Sequence, residues 1–200
     1  MNRLISIGAS GHGKVVADIA ALNGYKDIVF LDNDPDVKAC AGYPVLGPDT
    51  MTSELDGDVF IAVGKAETRK KLMERDKTRS FPTLVHPSAV VAKSAEIGAG
   101  SVVMAGAVIN PGAQIGKGCI INTSSSVDHD CMVGDYVHIS VGAHLSGTVV
   151  VGTGTWIGAG AIVSNNVDIC ADCVIGAGAV VIKDITEPGT YVGVPARKNK

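Results

Sequence analysis

Residues 97–121 read IGAGSVVMAGAVINPGAQIGKGCII, and the spacing of aliphatic residues in this stretch decides the architecture. Ile97, Val103, Ile109, Ile115 and Ile121 return every six positions. The same phase extends back through Val91 to Val85. It runs forward through Val127, Val133, Ile139, Leu145, Val151, Ile157, Val163, Ile169 and Ile175 to Val181, giving 17 consecutive hits without a break. A small residue often follows four positions later, as at Ser101, Ala107, Ala113, Cys119, Ser125, Cys131, Ala143, Ala161 and Ala179. Gly often follows directly, as at Gly98, Gly116, Gly134, Gly152, Gly158 and Gly176. A period of six matches neither the 3.6 of a helix nor simple strand alternation. Short strands joined by turns satisfy it, each repeat burying one branched side chain against the next layer.

Composition agrees with a repetitive core of small side chains. Hydrophobic residues reach 46 % while aromatics are only 4 % and Gly numbers 25, so the interior is built from Val, Ile and Ala. A net charge of −3 provides no basic footprint for nucleic acid. The opening Met1-Asn2-Arg3-Leu4-Ile5-Ser6-Ile7 is too short for a signal peptide or a membrane span, and a cytoplasmic protein is expected. Five cysteines are an odd number and suggest no disulfide framework. Cys170 and Cys173 have metal-type spacing, but Cys119, Cys131 and Cys173 fall in the small slot of the repeat and read as buried small residues.

The N-terminal part follows another pattern. Leu4–Ile7 is a short apolar strand running into Gly8-Ala9-Ser10-Gly11-His12-Gly13-Lys14, and Val15–Leu22 has helical composition. Further strands are expected at Ile28–Leu31, before Asp32-Asn33-Asp34-Pro35, and at Val59–Val63, before Gly64. Strand–helix alternation indicates a small parallel α/β unit over residues 1–80, with residues 81–200 forming the coil. A glycine turn between strand and helix exposes N–H groups at the positive end of the helix and favours a phosphate. The same glycines would also serve a bare tight turn. Asp32 ends the next strand, where dinucleotide-binding domains hold ribose hydroxyls. The glycine spacing departs from the dinucleotide fingerprint, and half a Rossmann unit suits a nucleotide with a single base.

Three of the five histidines cluster at His129, His138 and His144. Attack of a proton-bearing nucleophile on a carbonyl requires a proton acceptor and a donor for the developing oxyanion. An imidazole beside a carboxylate, as in His129-Asp130, suits the first task. Gly147 follows His129 by 18 residues, three repeats of six.

The repeats, together with Gly8-Ala9-Ser10-Gly11-His12-Gly13, Phe30-Leu31-Asp32 and Ile61-Ala62-Val63-Gly64, resemble the hexapeptide-repeat sugar-nucleotide acetyltransferases. They are closest to those acting on UDP-4-amino-sugars in bacillosamine and related glycan synthesis. The resemblance implies a left-handed parallel β-helix with three repeats per coil, preceded by a half-Rossmann-like β-α-β domain. It implies acetyl-CoA as co-substrate without a metal, and a homotrimer with active sites between subunits. His129 would then be the general base and Asp130 its partner. His138, Gly147, Ala159 and Ala177 would contact acetyl-CoA. Ser10, Gly11, His12, Asp32, Asn33, Gly64, Lys65 and Asn122 would hold the nucleotide sugar. GDP-perosamine N-acetylation and sialic acid O-acetylation stay open as alternatives within the class. A non-catalytic nucleotide-sugar-binding scaffold is the alternative outside it.

Overall fold

The computed structural model describes residues 3–199; Met1 and Asn2 of the opening run, and Lys200 of the basic tail, lie outside the described residues. Two compact units divide the chain, Met1–Pro87 and Ser88–Lys200. The sequence reading divides it at 80/81. The first unit continues farther because Asn23 holds Val85 through both main-chain groups, accepting from its N–H at 3.0 Å and donating to its carbonyl at 2.8 Å.

In the first unit, β1 (Arg3–Ile7), β2 (Asp27–Leu31), β4 (Tyr43–Gly47) and β5 (Asp58–Ile61) are parallel, and β3 (Ala39–Cys40) is antiparallel to β4. The sheet order is β3-β4-β2-β1-β5. Helices α1 (Gly11–Leu22) and α2 (Ala66–Arg75) complete the unit. Leu4, Ile5, Phe30, Leu31, Val59 and Phe60 are buried, as the near-continuous apolar strands of a covered parallel sheet require.

Three elements escape the sequence patterns. The β3–β4 hairpin carries Pro44 and is largely solvent-facing, so it shows no apolar run. Helix α2 is mostly charged and buries only Arg69, Leu72 and Met73. Helix α1 starts at Gly11 rather than Val15, because two glycines in its first turn hide it from a propensity reading.

The second unit is a left-handed parallel β-helix whose two-residue strands stack at intervals of 18 residues. One ladder comprises Val90–Val91, Val108–Ile109, Ser126–Val127, His144–Leu145, Ile162–Val163 and Val180–Val181. A second comprises Glu96–Ile97, Gln114–Ile115, Met132–Val133, Val150–Val151 and Asp168–Ile169. The third runs through Val102–Val103, Ile120–Ile121, His138–Ile139, Trp156–Ile157 and Cys173–Ile175 and closes on Gly189–Val192 and Arg197–Lys198.

In the central strands the second residue points inward. Ile109, Ile121, Val127, Ile139, Ile157 and Val163 are fully buried, and each such burial contributes about 1.5–3 kcal/mol. The small slots lie under the turns. Their polar members donate to carbonyls of the next coil, as Ser101 Oγ does to Gly116 at 2.9 Å and Cys131 Sγ to Ser146 at 3.1 Å. Cys119, Cys131 and Cys173 are buried thiols. Among the described residues no group of three or more His, Cys, Asp or Glu could hold a metal, and no helix is long and apolar enough to cross a membrane.

Candidate functional site

Three consecutive coils build the site around His129. The ring stands at the corner between the Ser126–Val127 and Met132–Val133 strands. Its Nδ1 lies 2.9 Å from Asp130 Oδ2. Asp130 adopts the left-handed region at φ 57°, which turns its carboxylate back toward the imidazole. Paired with that carboxylate, His129 has its pKa raised above the usual 6.5, with Asp128 adding a smaller push in the same direction. Both side chains are more than half exposed, at 57 % and 64 %. The Nε2 edge of the ring therefore stays available to a ligand while Nδ1 is held.

One coil on, Gly147 packs directly against this edge. A Cβ at Gly147 would overlap His129 Nε2 and lie 2.6 Å from Cε1, so only glycine leaves the ring where it stands. The Gly147 N–H donates to no protein acceptor among the described residues. Thr148 N–H closes the corner by donating to the His129 carbonyl at 2.9 Å.

His138 belongs to a different edge of the coil, on the outward row of the third ladder. Its Nε2 lies 3.1 Å from Asn122 Nδ2. The Asn122 amide is oriented by Thr123, whose N–H donates to Oδ1 at 2.8 Å, so Nδ2 is the donor and His138 Nε2 carries the lone pair. Trp156, in register on the next coil, stacks on the His138 ring with centroids 5.6 Å apart and planes 2° from parallel. His144 Nδ1 pairs with Ser126 Oγ at 2.8 Å on the first ladder. One chain thus brings His129, Asp130 and Gly147 together in one group, and Asn122 and His138 in another.

Ala159 and Ala177 lie at successive turns of the corner that also carries Asn122. Both are exposed, and their N–H groups have no protein acceptor among the described residues. The corner offers a row of main-chain donors one coil apart.

In the first unit the glycines divide by role. Gly8 has φ +105°, and a Cβ there would lie 2.8 Å from the Ala62 carbonyl oxygen; a Cβ on Gly13 would overlap the Gly8 carbonyl oxygen. These two hold the β1–α1 turn together. Gly11 is exposed, and a Cβ there would meet nothing within 4 Å. Ser10 caps α1 from an extended conformation, makes no side-chain cap bond and is exposed. His12 sits in the first helical turn with Nε2 buried and unpartnered. Burial and the nearby Arg69 charge push its pKa down to about 4, leaving a neutral ring at physiological pH.

Asp32 ties the glycine turn to the next loop, accepting from Ala9 N–H at 2.7 Å and from Asp34 N–H at 2.9 Å. Asn33 is bonded through both side-chain atoms to Asp49. Gly8, Asp32, Asn33, Asp49, Val63 and Thr68 line an open cavity of about 140 Å³. Gly64 and Val63 direct their carbonyls at the buried Arg69 guanidinium, at 2.7 and 2.9 Å. Lys65 caps α2 and pairs with Glu67 at 3.2 Å in full solvent, a contact of little energetic weight. Sequence reading missed Asp49 and Thr68, which line the cavity, and Arg69, which holds the Val63 and Gly64 carbonyls; all three come from elements without a motif and reach the site only through the fold.

The architecture and these two sites define a class: a hexapeptide-repeat β-helix carrying a His–carboxylate turn, joined to a glycine-turn α/β domain. Residues 3–75 match the PglD N-terminal domain family. The chain is 41 % identical over 113 residues to UDP-N-acetylbacillosamine N-acetyltransferase of Bacillus subtilis (strain 168), a match spanning 52 % of each chain. It therefore aligns with about half the length of that curated relative. The acetyltransferase domain of PglB from Neisseria gonorrhoeae FA1090, solved in complex with acetyl coenzyme A, is 42 % identical with a TM-score of 0.96 over 100 % of both chains. PerB from Caulobacter crescentus, solved in complex with CoA and GDP-perosamine, is 37 % identical with a TM-score of 0.94 over 100 % of this chain and 98 % of that one. The chain belongs to the hexapeptide-repeat sugar-nucleotide acetyltransferase family with a PglD-type N-terminal domain.

Proposed function

We propose that this protein transfers the acetyl group of acetyl-CoA to the 4-amino group of a UDP-4-amino-4,6-dideoxy-sugar. The carrying observation is the His129 imidazole, held at Nδ1 by Asp130 with Nε2 turned toward Gly147. In this reading the sugar amine attacks the thioester carbonyl and Nε2 takes the ammonium proton. Asp130 holds the opposite N–H and stabilises the imidazolium. The Gly147 N–H meets the carbonyl oxygen as it becomes negative. Collapse of the tetrahedral adduct breaks the C–S bond, and the CoA thiolate takes a proton and leaves as CoA.

The remaining roles follow from position. His138 and Asn122 stand on another coil edge, so they serve this chemistry from a neighbouring protomer of a homotrimer, where Asn122 lines the acceptor pocket. The pantetheine arm lies along the corner of Ala159 and Ala177 and meets their N–H groups. Ser10, Gly11 and His12 receive the diphosphate at the N-terminus of α1. Asp32, Asn33, Gly64 and Lys65 surround the nucleoside, with His12 acting as a neutral hydrogen-bonding group. Use of acetyl-CoA supports a cytoplasmic location for the reaction. Whole-length similarity to PerB supports a second reading, acetylation of GDP-perosamine.

Gly11 separates recognition from folding. Its Cβ space is open, so Gly11→Val leaves the turn intact and blocks only close approach by a diphosphate. The expected result is a rise in KM for the sugar nucleotide of roughly tenfold or more, about 1.4 kcal/mol of lost binding. Acetyl-CoA affinity and a trimeric mass in sedimentation should not change. Unaltered kinetics would remove the acceptor from this loop, and a monomeric active species would remove the shared site.

A further inference from the structure

The His129–Asp130 turn does not hold its shape alone. The turn one coil earlier, Asn110-Pro111-Gly112, meets it residue by residue. Asn110 Nδ2 donates to Asp128 Oδ1 at 2.8 Å, and that same oxygen accepts the His129 N–H at 2.7 Å. The Pro111 carbonyl accepts from Asp130 N–H at 3.1 Å. Gly112, at φ +77°, leaves the space that Asp130 Oδ1 occupies, and a Cβ there would overlap it. The two bonds on Asp128 hold its carboxylate below the usual Asp range, the His129 N–H contributing more than Asn110.

A carboxylate that accepts from the following residue's own N–H restricts the main chain at that residue. The Cα–Cβ direction of His129 is therefore set by Asp128, and the position of Asp128 is set by Asn110. Neither side chain is directed at the imidazole nitrogens, so neither is a proton carrier. We infer that Asn110, acting through Asp128, is a positioning residue that aims the His129 ring at Nε2 and keeps Nδ1 on Asp130. This rests on His129 being the base proposed above.

The claim concerns a hydrogen bond rather than a charge, and paired substitutions separate the two. Asn110→Ala should lower kcat by about ten- to a hundredfold, the scale for a misplaced catalytic group, with both KM values within about twofold of the parent. Asp128→Ala should do the same. Asp128→Asn keeps an acceptor oxygen for the His129 N–H and should retain kcat within about threefold. Overturning results are an Asn110→Ala enzyme with parental kcat, whatever its thermal stability, or an Asp128→Asn enzyme as slow as Asp128→Ala. His129→Ala run alongside keeps the two readings apart. If that variant stays active, the assignment of the base falls; if it is inactive while Asn110→Ala is fast, only the positioning role falls.

Discussion

His129→Ala is expected to reduce kcat by about 10²–10⁴-fold, the range for loss of a general base, with acetyl-CoA binding nearly unchanged. The side chain is more than half exposed, so the coil should fold without it. pH dependence gives an independent check. The base acts in its neutral form, so kcat/KM must fall as pH drops through the His129 pKa. Hydrogen bonding to Asp130 raises that pKa. Asp130→Asn removes the carboxylate and should move the acid limb to lower pH while also lowering the maximum. A His129→Ala enzyme retaining most of its activity would shift the base elsewhere, with His138 the next candidate.

Gly147→Ala should be nearly as damaging. No positive φ constrains this glycine, so alanine fits the backbone, but its Cβ takes the space of the His129 Nε2 edge. The exposed ring can swing away at little cost to folding. Doing so breaks the 2.9 Å contact with Asp130 and moves Nε2 off the path of the amine. The same methyl crowds the approach of a thioester to the Gly147 N–H. A fall in kcat of about 10²–10³-fold follows, the magnitude seen when one oxyanion donor is lost. Thermal unfolding should stay close to the parent. Steady-state kinetics showing only a modest KM change would mean that Gly147 merely packs the corner.

The two units were unequally legible in the sequence. The six-residue period fixes strand phase and corners, because each repeat performs one task and errors of phase would put a branched side chain into water; the family resemblance adds three repeats per coil. That same arithmetic placed Gly147 one coil above His129, and the structure packs them in contact. The coil's support of the site was harder to see. Asn110 occupies a turn position that other coils fill with Ala92, Asp128, Ser146 or Ser164, and nothing in its own repeat marks it. Only stacking at 18 residues brings it under Asp128. In the first unit, β1, β2 and β5 were readable as apolar runs before glycine or aspartate. Asp49, Thr68 and Arg69 were not, because a short 3₁₀ turn and a charged helix carry no periodic mark. A full Rossmann count of strands was not expected, and β4 extends the parallel sheet beyond the anticipated β-α-β core.

The central claim is tested most directly by CoA release, followed with a thiol reagent, from acetyl-CoA and a panel of sugar nucleotides. The panel should pair a UDP-4-amino-4,6-dideoxy-sugar with GDP-perosamine and with a UDP-sugar lacking the amine. Thiol release matched one-to-one by acetamido product, fastest with the UDP-4-amino-sugar and absent without the amine, is the predicted result. Preference for GDP-perosamine would replace the acceptor assignment by the second reading. Release no faster with any 4-amino-sugar nucleotide than with buffer alone would contradict the account.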